Sequence, residues 1–389
     1  MILAALTGLT PLATDMYIPA FPAMSNDLSA SNSFIQSSIT AYMLGLVFGQ
    51  LLLGPISDQI GRRKLLITGA WLFALFSIAC AIASDASILA VARLLQGMAG
   101  AAGMVIARAV IGDWYSGPEA AKRFSGLTMI FAIAPIIAPV LGGLLLGIGS
   151  WRLIFAVLAV LGVLLALATL ARVPESLPPE RRHETSLTEA FLTMGALLKK
   201  RTFVGYVLVF SCSTIALFAY LSTASFVLQG IFGLSEWMTS LLFGLNALGM
   251  LIGGAVFGAL SKNTPLHKFL IIGVILGIIS TVIQWLLAVT LIPTLITLFI
   301  TMLALGLLFP ASMAAGQAAA SHASGSASAL LGAVQCLFGA IAAPLVGLLG
   351  TDSAKPMAIL MIIGFLLAGI ALLLLVRPWH HQDITPIKP

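Results

Sequence analysis

The stretch GPISDQIGRRK, residues 54–64, is a short charged loop between two long apolar runs. The apolar run 34–56 leads into it, and the apolar run 65–84 follows it. Each run is long enough for a membrane helix, which needs ~20 apolar residues to cross a bilayer. The two glycines of the stretch permit a tight turn, and its aspartate and three basic residues form a charge cluster at a membrane face. The stretch therefore predicts a hairpin of two membrane helices.

The composition of the whole chain agrees with a membrane protein. Of its 389 residues, 60% are hydrophobic and only 8% are charged, whereas soluble proteins carry about 25% charged residues. A surface that faces water needs more charge than this, so the main solvent is lipid. Cys80, Cys212 and Cys336 lie far apart in apolar runs, which is typical of packing residues rather than of a disulfide or metal site.

Twelve apolar segments are long enough to span a bilayer. Their predicted limits are 1–21, 34–56, 65–84, 88–110, 124–148, 152–172, 203–228, 237–260, 269–291, 293–314, 327–349 and 357–376. The first segment could also be a signal peptide, but it has no basic region before it and Asp15 interrupts it. The missing basic residues are equally compatible with a start upstream of Met1.

The distribution of basic residues predicts the orientation in the membrane. With the N-terminus inside, 15 of the 19 lysines and arginines fall in loops, a linker and a tail on the same side. Cytoplasmic loops carry such an excess. Both termini are therefore predicted to be cytoplasmic, and most of the net charge of +6 marks topology and lies at the membrane surface.

A polar linker, residues 173–201, divides the chain into six spans and six spans. We predict an N-terminal bundle over 1–172, a cytoplasmic linker over 173–201, a C-terminal bundle over 202–376 and a cytoplasmic tail over 377–389. The later part of the linker, SLTEAFLTMGALLKK, has the pattern of an amphipathic helix on the inner surface.

The two halves contain a weak repeat at an offset of 204 residues. The aligned positions are Gly45, Gly49, Gly54, Ser57 and Lys64 with Gly249, Gly253, Gly258, Ser261 and Lys268. Small residues at these spacings let helices approach closely. Two six-helix repeats are typical of transporters that rock one half against the other.

The opening stretch resembles the G-x-x-x-D-x-x-G-R-R/K loop of the major facilitator superfamily. The matching residues are Gly54, Asp58, Gly61, Arg62 and Arg63. The resemblance implies that they form a conformational latch, with Asp113 as a partner for Arg62 or Arg63. The alternative is an ordinary basic loop that only sets topology.

Segment 4 contains RLLQGMAGAAGMVIAR, residues 93–108, which resembles the R-x-x-Q-G-x-G-A pattern of the same superfamily. An arginine within a span is a functional candidate because an unpaired charge in lipid is costly. Arg93 would otherwise extend its charged end to the outer interface. Gln96, Gly97 and the small residues beside them favour a buried face.

Segment 5 contains SGLTMIFAIAPIIAPVLGG, residues 125–143, which resembles the motif of drug and proton antiporters, G-x8-G-x3-G-P-x2-G-G. Pro139, Gly142 and Gly143 match it, while Ser125, Ala134 and Ala138 replace its first three glycines. The resemblance implies antiport rather than symport. The alternative is a face of small residues that serves only packing.

The first span contains ATDMYIPAFPAM, which resembles the start of the bicyclomycin-resistance (Bcr/CflA) subfamily of multidrug exporters. By that resemblance Asp15 is the proton-coupling carboxylate, helped by Arg93, and Tyr17 lines the substrate cavity. A carboxyl whose surroundings alternate between open and closed states changes its proton affinity, which proton coupling requires. The alternative places Asp15 at the outer mouth, where it is solvated and caps a turn before Pro19 and Pro22.

Several further polar residues lie within predicted spans. The candidates for a substrate cavity are Tyr17, Gln36, Tyr42, Gln96, Tyr220, Asn246 and Gln335. Each could instead bond a neighbouring helix. Phe210, Phe218 and Phe226 recur every eight residues, so they share a helix face; they either stack on a drug or pack against protein or lipid.

The chain has no G-x-x-x-x-G-K-[ST] loop, so we expect a proton gradient rather than ATP to supply the energy. No catalytic triad or metal cluster is evident, and we expect no enzyme activity, no cofactor and no metal.

We predict an all-α inner-membrane transporter with the twelve-helix fold of the major facilitator superfamily. Its expected partners are protons, a small amphipathic substrate and the lipid bilayer, with no nucleic acid, and it is expected to act as a monomer. The alternative is a dedicated transporter of one metabolite such as a nucleoside, sugar or amino acid.

Overall fold

The computed structural model describes most of the chain, and all regular secondary structure in the described part is helical. The described residues are 1–115, 134, 137–181, 187–261, 263–287, 290–320, 324–349 and 353–377. By their internal contacts they divide into two units. The first comprises Met1–Phe191 with Glu236–Ser240, and the second comprises Leu192–Ser235 with the residues from Leu241 onward.

The helices before the linker are α1 (Ile2–Asp15), α2 (Phe21–Asp27), α3 (Asn32–Ile60), α4 (Arg62–Ala81), α5 (Ala86–Trp114), α6 (Ile137–Ile148) and α7 (Arg152–Arg172). A 3-10 helix, Ile18–Ala20, lies between α1 and α2. The Ser31 hydroxyl accepts from the backbone N–H of Phe34 at the start of α3, and the Asp85 carboxylate caps α5 in the same way. The turn between α3 and α4 uses Gly61 at φ 102°, a conformation that favours glycine.

The later helices are α8 (Leu187–Leu197), α9 (Arg201–Ser225), α10 (Glu236–Leu260), α11 (Leu266–Leu286), α12 (Leu291–Ala319), α13 (Ser324–Leu349) and α14 (Lys355–Ala371). Single π-helical turns, Phe226–Ile231 and Leu372–Val376, extend α9 and α14. Helix α8 lies where the linker pattern predicts an amphipathic helix.

Ten helices in the described part are long and apolar enough to cross a membrane, and α6 is a shorter apolar helix. With α1 they occupy all twelve predicted positions, so the chain is an all-α membrane protein. The predicted limit of the ninth span was wrong: α11 ends at Leu286, not at residue 291. Residues 269–314 are almost continuously apolar, so hydropathy does not locate the turn between these two helices.

The first predicted span, 1–21, is not one helix. Helix α1 ends at Asp15, and a 3-10 turn and α2 follow it. Pro19 has no N–H to donate to the carbonyl of Asp15, and Pro22 likewise lacks a donor, so the α-helical ladder cannot run through this region. The break leaves Asp15 at a helix end rather than on a continuous helix.

Glycines bring equivalent helix pairs of the two halves together. A Cβ atom on Gly45 or Gly49 of α3 would overlap the backbone of α5, and one on Gly249 or Gly253 of α10 would overlap the backbone of α12. The second and fourth spans of each half therefore pack at backbone contact through the same aligned glycines. This confirms that the weak sequence repeat reflects two structural repeats.

We expect Gly97→Ala on α5 to destabilise the protein by about 1–3 kcal/mol, because its new methyl group would meet the backbone carbonyl of Tyr42. Gly112→Ala is the matched control on the same helix, since nothing lies within 4 Å of its Cβ position. Thermal unfolding in detergent measures both. Equal midpoints for the two variants would show that α3 and α5 do not pack at backbone contact here.

Candidate functional site

Arg93 is a buried charge within the first unit. Its side chain projects from α5 and is fully buried. Two tyrosine rings flank the guanidinium: its Cζ atom lies 4.4 Å from the Tyr17 ring centroid and 4.1 Å from that of Tyr42. The Phe155 ring of α7 lies 5.6 Å away. Ring faces attract a cation, so this aromatic box stabilises a charge that lipid would not.

A chain of polar groups continues from Arg93. Its Nη1 donates to Gln96 Oε1 at 2.5 Å, and Gln96 Nε2 donates to the Ser77 hydroxyl of α4 at 2.7 Å. Arg93 Nε and Nη2 are buried and have no hydrogen-bond partner among the described residues. The guanidinium therefore keeps free donors inside the unit.

Both tyrosines of the box are held in place by hydrogen bonds. The Tyr17 hydroxyl pairs with the Ser38 hydroxyl at 3.0 Å, and the Tyr42 hydroxyl donates to the Thr10 carbonyl at 3.4 Å. The structure thus brings four predicted residues together: Arg93, Gln96, Tyr17 and Tyr42. Sequence reasoning missed Ser38, Ser77 and Phe155, because single serines and phenylalanines in apolar helices carry no distinguishing pattern.

Asp15 is buried, with 6% of its surface exposed. It lies at the end of α1, two residues before Tyr17, and its carboxylate forms no hydrogen bond or ion pair with any described residue. A buried carboxyl without a hydrogen-bond partner is poorly stabilised as an anion. With so little of its surface exposed, the side chain is largely enclosed by protein in this conformation.

Asp15 and Arg93 do not form an ion pair in this structure. The residue that contacts the guanidinium is Tyr17, which follows Asp15 by two positions and places its ring 4.4 Å from the Arg93 Cζ atom. The remaining cavity candidate of the first half, Gln36, is fully buried on α3.

The second unit holds a smaller polar pair. Asn246 Nδ2 of α10 donates to the Tyr220 hydroxyl of α9 at 3.0 Å, and both side chains are buried. Gln335 lies half-buried on α13, and no hydrogen bond joins it to that pair. Phe210, Phe218 and Phe226 are all buried, which excludes contact with lipid, and the Phe210 ring packs edge-on against Phe309 at 5.1 Å.

The predicted latch residues meet at one end of the first unit. Arg62 Nη2 lies 2.5 Å from Asp58 Oδ1, and Arg62 Nε donates to Asp113 Oδ2 at 3.2 Å. Arg62 Nη1 also donates to the Ser57 hydroxyl. Of the two arginines that could pair with Asp113, the described residues show Arg62 in contact with it. Arg62 is buried, with 8% of its surface exposed.

The stretch predicted as a loop is helical up to Ile60, so Gly54 lies inside α3 and the turn is confined to Gly61. The Gly54 carbonyl accepts from the Ser57 hydroxyl at 2.7 Å, and the Arg63 side chain donates to the Leu170 carbonyl of α7 at 2.7 Å. Gly61 supplies the positive φ described above. The cluster therefore ties α3, α4, α5 and α7 together at one end.

The residues of the antiporter motif lie on α6. Pro139, Gly142 and Gly143 are buried, as are Ala134 and Ala138, whereas Ser125 lies outside the described residues. A Cβ atom on Gly142 would overlap the carbonyl of Met16. Helix α6 therefore touches the broken segment beside Asp15 directly.

A second charged cluster, which sequence reasoning missed, lies at the opposite end of the first unit. Asp27 at the end of α2 accepts from Trp151 Nε1 at 3.0 Å and from Arg152 Nη1. These bonds, Arg152 first, lower the pKa of the Asp27 carboxyl. Arg152 also donates to the Ala83 carbonyl after α4 at 3.1 Å. These bonds join three separate segments. The sequence feature that could have indicated this cluster is the single basic residue directly after Trp151.

Comparison with known proteins identifies the family. The profile of the Major Facilitator Superfamily matches residues 3–344. Over 375 residues the chain is 40% identical to the "Uncharacterized MFS-type transporter YdgK" of Bacillus subtilis (strain 168), covering 95% of this chain and 93% of that protein.

Two further relatives have names that refer to resistance. The chain is 30% identical over 272 residues to the "Multidrug resistance protein D" of Escherichia coli (strain K12), covering 69% of this chain and 66% of that protein. It is 30% identical over 249 residues to the "Bicyclomycin resistance protein homolog" of Haemophilus influenzae, covering 64% and 63%.

The fold has matches among solved structures. A bacterial homolog of the human lysosomal transporter Spinster aligns with a TM-score of 0.74 at 16% identity, covering 97% of this chain and 96% of that one. At this identity the match shows the fold alone. The matched profile and the relative that is 40% identical show that this chain belongs to the Major Facilitator Superfamily and is a multi-pass membrane transporter.

Proposed function

We propose that this transporter is a proton-coupled antiporter that exports small amphipathic compounds across the inner membrane by alternating access. The observation that carries the proposal is Asp15: a buried carboxylate with no hydrogen-bond or ion-pair partner among the described residues, two positions before a tyrosine whose ring contacts a buried arginine. The names of the relatives, which refer to multidrug and bicyclomycin resistance, favour drugs as the exported compounds.

The proton site of the proposed cycle is Asp15. The proton enters from outside and binds the carboxylate in one conformation, and it leaves inward in the other. The helix break at Pro19 gives the segment freedom to move without breaking a continuous helix. Asp15 precedes Tyr17 by two residues on the same broken segment, so we expect a change in its charge to act on the aromatic box around Arg93.

The energy comes from the proton gradient. One proton moving inward gains ~2.3 kcal/mol per 100 mV, plus the pH term. That energy moves a neutral compound several tens-fold uphill, since ~1.4 kcal/mol corresponds to a factor of ten. No ATP, cofactor or metal takes part in the proposed cycle, and the transporter acts as a monomer with both termini in the cytoplasm.

The aromatic box suits an amphipathic compound. The rings of Tyr17, Tyr42 and Phe155 and the Arg93 donors Nε and Nη2 are buried against one another in this conformation, and the proposed cycle exposes them to the compound in the other. In the second unit, Tyr220 and Asn246 offer a further polar pair. Binding sites for small molecules combine apolar walls with a few placed polar groups in this way.

Dye efflux from everted vesicles tests the function. We expect several unrelated fluorescent compounds to be pumped when a proton gradient is present and pumping to stop when a protonophore is added. Vesicles from cells without the protein are the control. Transport of one nutrient alone would establish the dedicated metabolite transporter instead, and uptake unaffected by the protonophore would contradict proton coupling.

A further inference from the structure

The first residues of the linker contact the latch. Glu175 lies three residues beyond the end of α7, and its Oε1 accepts from the backbone N–H of Arg62 at 2.9 Å. Its Oε2 accepts from the backbone N–H of Arg63 at 3.2 Å. Glu175 thus binds the first turn of α4 from 113 residues away in sequence.

Helix α4 needs this acceptor. It begins immediately after Gly61, which has no side chain to cap the helix. The first N–H groups of a helix have no partner within the helix. A carboxylate is the most favourable cap there, because the helix dipole places positive charge at that end. Glu175 is therefore the N-terminal cap of α4, supplied by the linker.

The next residue binds the other side of the latch. The Ser176 hydroxyl donates to Asp113 Oδ2 at 2.8 Å, the same oxygen that accepts from Arg62 Nε. Glu175 Oε1 also accepts the backbone N–H groups of Ser176 and Leu177, both at 3.1 Å, which folds the segment around its carboxylate. Two consecutive linker residues thus contact both the backbone and the ion-pair partner of one arginine.

We propose that Glu175 and Ser176 form a clasp that positions the latch and makes the linker part of the conformational switch. The clasp fixes where the linker leaves the first unit, and it fixes the first turn of α4 from which Arg62 projects. A movement of Arg62 away from Asp113 changes the partners of Ser176, and release of Glu175 leaves the first turn of α4 uncapped. This inference rests on the alternating-access cycle proposed above, but not on the identity of the exported compound.

The test compares populations of two conformations without any drug. Cysteines at Arg172 and Leu260, one in each unit and both exposed, carry spin labels. The native cysteines are all buried, so they react little with the label. The ratio of the two distance populations is measured for the labelled wild type, Glu175→Gln, Arg62→Ala and the double variant.

We expect Glu175→Gln to shift the ratio in the same direction as Arg62→Ala, by roughly two- to fivefold, because the amide keeps one acceptor oxygen but loses the second acceptor and the charge that favours the helix end. The double variant should shift it by much less than the product of the two single effects, because one switch element is lost in each case. Glu180→Gln is the matched control: this exposed glutamate, five residues later, should leave the ratio unchanged.

A simple structural cap gives a different result. In that case Glu175→Gln lowers the unfolding temperature but leaves the population ratio at the wild-type value. Alternatively, the ratio in the double variant shifts by the full product of the two single effects. Either result overturns the clasp. If Glu175→Gln does not fold, Glu175→Asp decides, with a smaller shift expected because its carboxylate is one methylene shorter. If the wild type does not pump dye, the proposed function is contradicted. The test of the clasp is still valid, because the distance populations are measured without any drug.

Discussion

Replacing Asp15 by asparagine is expected to abolish proton-driven efflux while the protein still folds. Asparagine has nearly the same shape but binds no proton at physiological pH. The carboxylate has no hydrogen bond or ion pair among the described residues, so its loss breaks no observed contact. The steady-state gradient of a pumped dye should fall from several tens-fold to about one, because the proton's energy is no longer coupled to transport.

Proton release on drug binding gives an independent measurement. Purified wild type should release protons when a substrate is added, and Asp15→Asn should release none. Asp85→Asn is the matched control, because Asp85 is exposed and caps the start of α5, and asparagine caps helices nearly as well. Wild-type resistance of cells that express Asp15→Asn at the same level would remove Asp15 from the mechanism.

Replacing Arg93 by lysine is expected to lower efflux at least about tenfold, although the charge is kept. The planar guanidinium lies over the Tyr17 and Tyr42 rings while it donates to Gln96. An ammonium group cannot stack on two rings and keep that hydrogen bond, and such contacts are worth about 0.5–2 kcal/mol each. The fully buried site therefore depends on arginine and not on charge alone.

Arg108→Lys is the control for this variant. Arg108 lies on the same helix, is half-buried, and makes no hydrogen bond or ion pair with a described residue, so its replacement should change efflux little. Rates are compared at equal expression and with matched unfolding temperatures. Equal losses in both variants would mean that any lysine in α5 disturbs membrane insertion, and the aromatic box would then have no special role.

Much of the fold follows from local sequence features. Hydropathy locates the spans because every span must bury its backbone polar groups in helices within lipid. It fails where the chain gives no contrast: the turn after Leu286 lies in a nearly continuous apolar run. The glycines of the repeat mark the helix faces that meet, since only small residues permit backbone contact.

The residues of the candidate site are predictable only in part. Asp15, Arg93 and Arg62 stand out because charges in or beside lipid are costly. Their partners do not stand out in the sequence. Phe155 and Ser77 are of residue types that are common in membrane helices, and Glu175 lies in a polar linker where glutamates are common. These partners are identified by contacts between segments up to 113 residues apart.

The sequence by itself determined the membrane class, the approximate positions of the twelve spans and the turn at Gly61, because hydropathy, charge bias and turn residues act over short distances along the chain. The tertiary structure alone decided that the Asp15 carboxylate is buried with no partner among the described residues. It also decided that Arg93 lies between two tyrosines, and that the linker caps α4. The physical reason is that burial, ring stacking and capping depend on which helices become neighbours, and no local pattern encodes that arrangement.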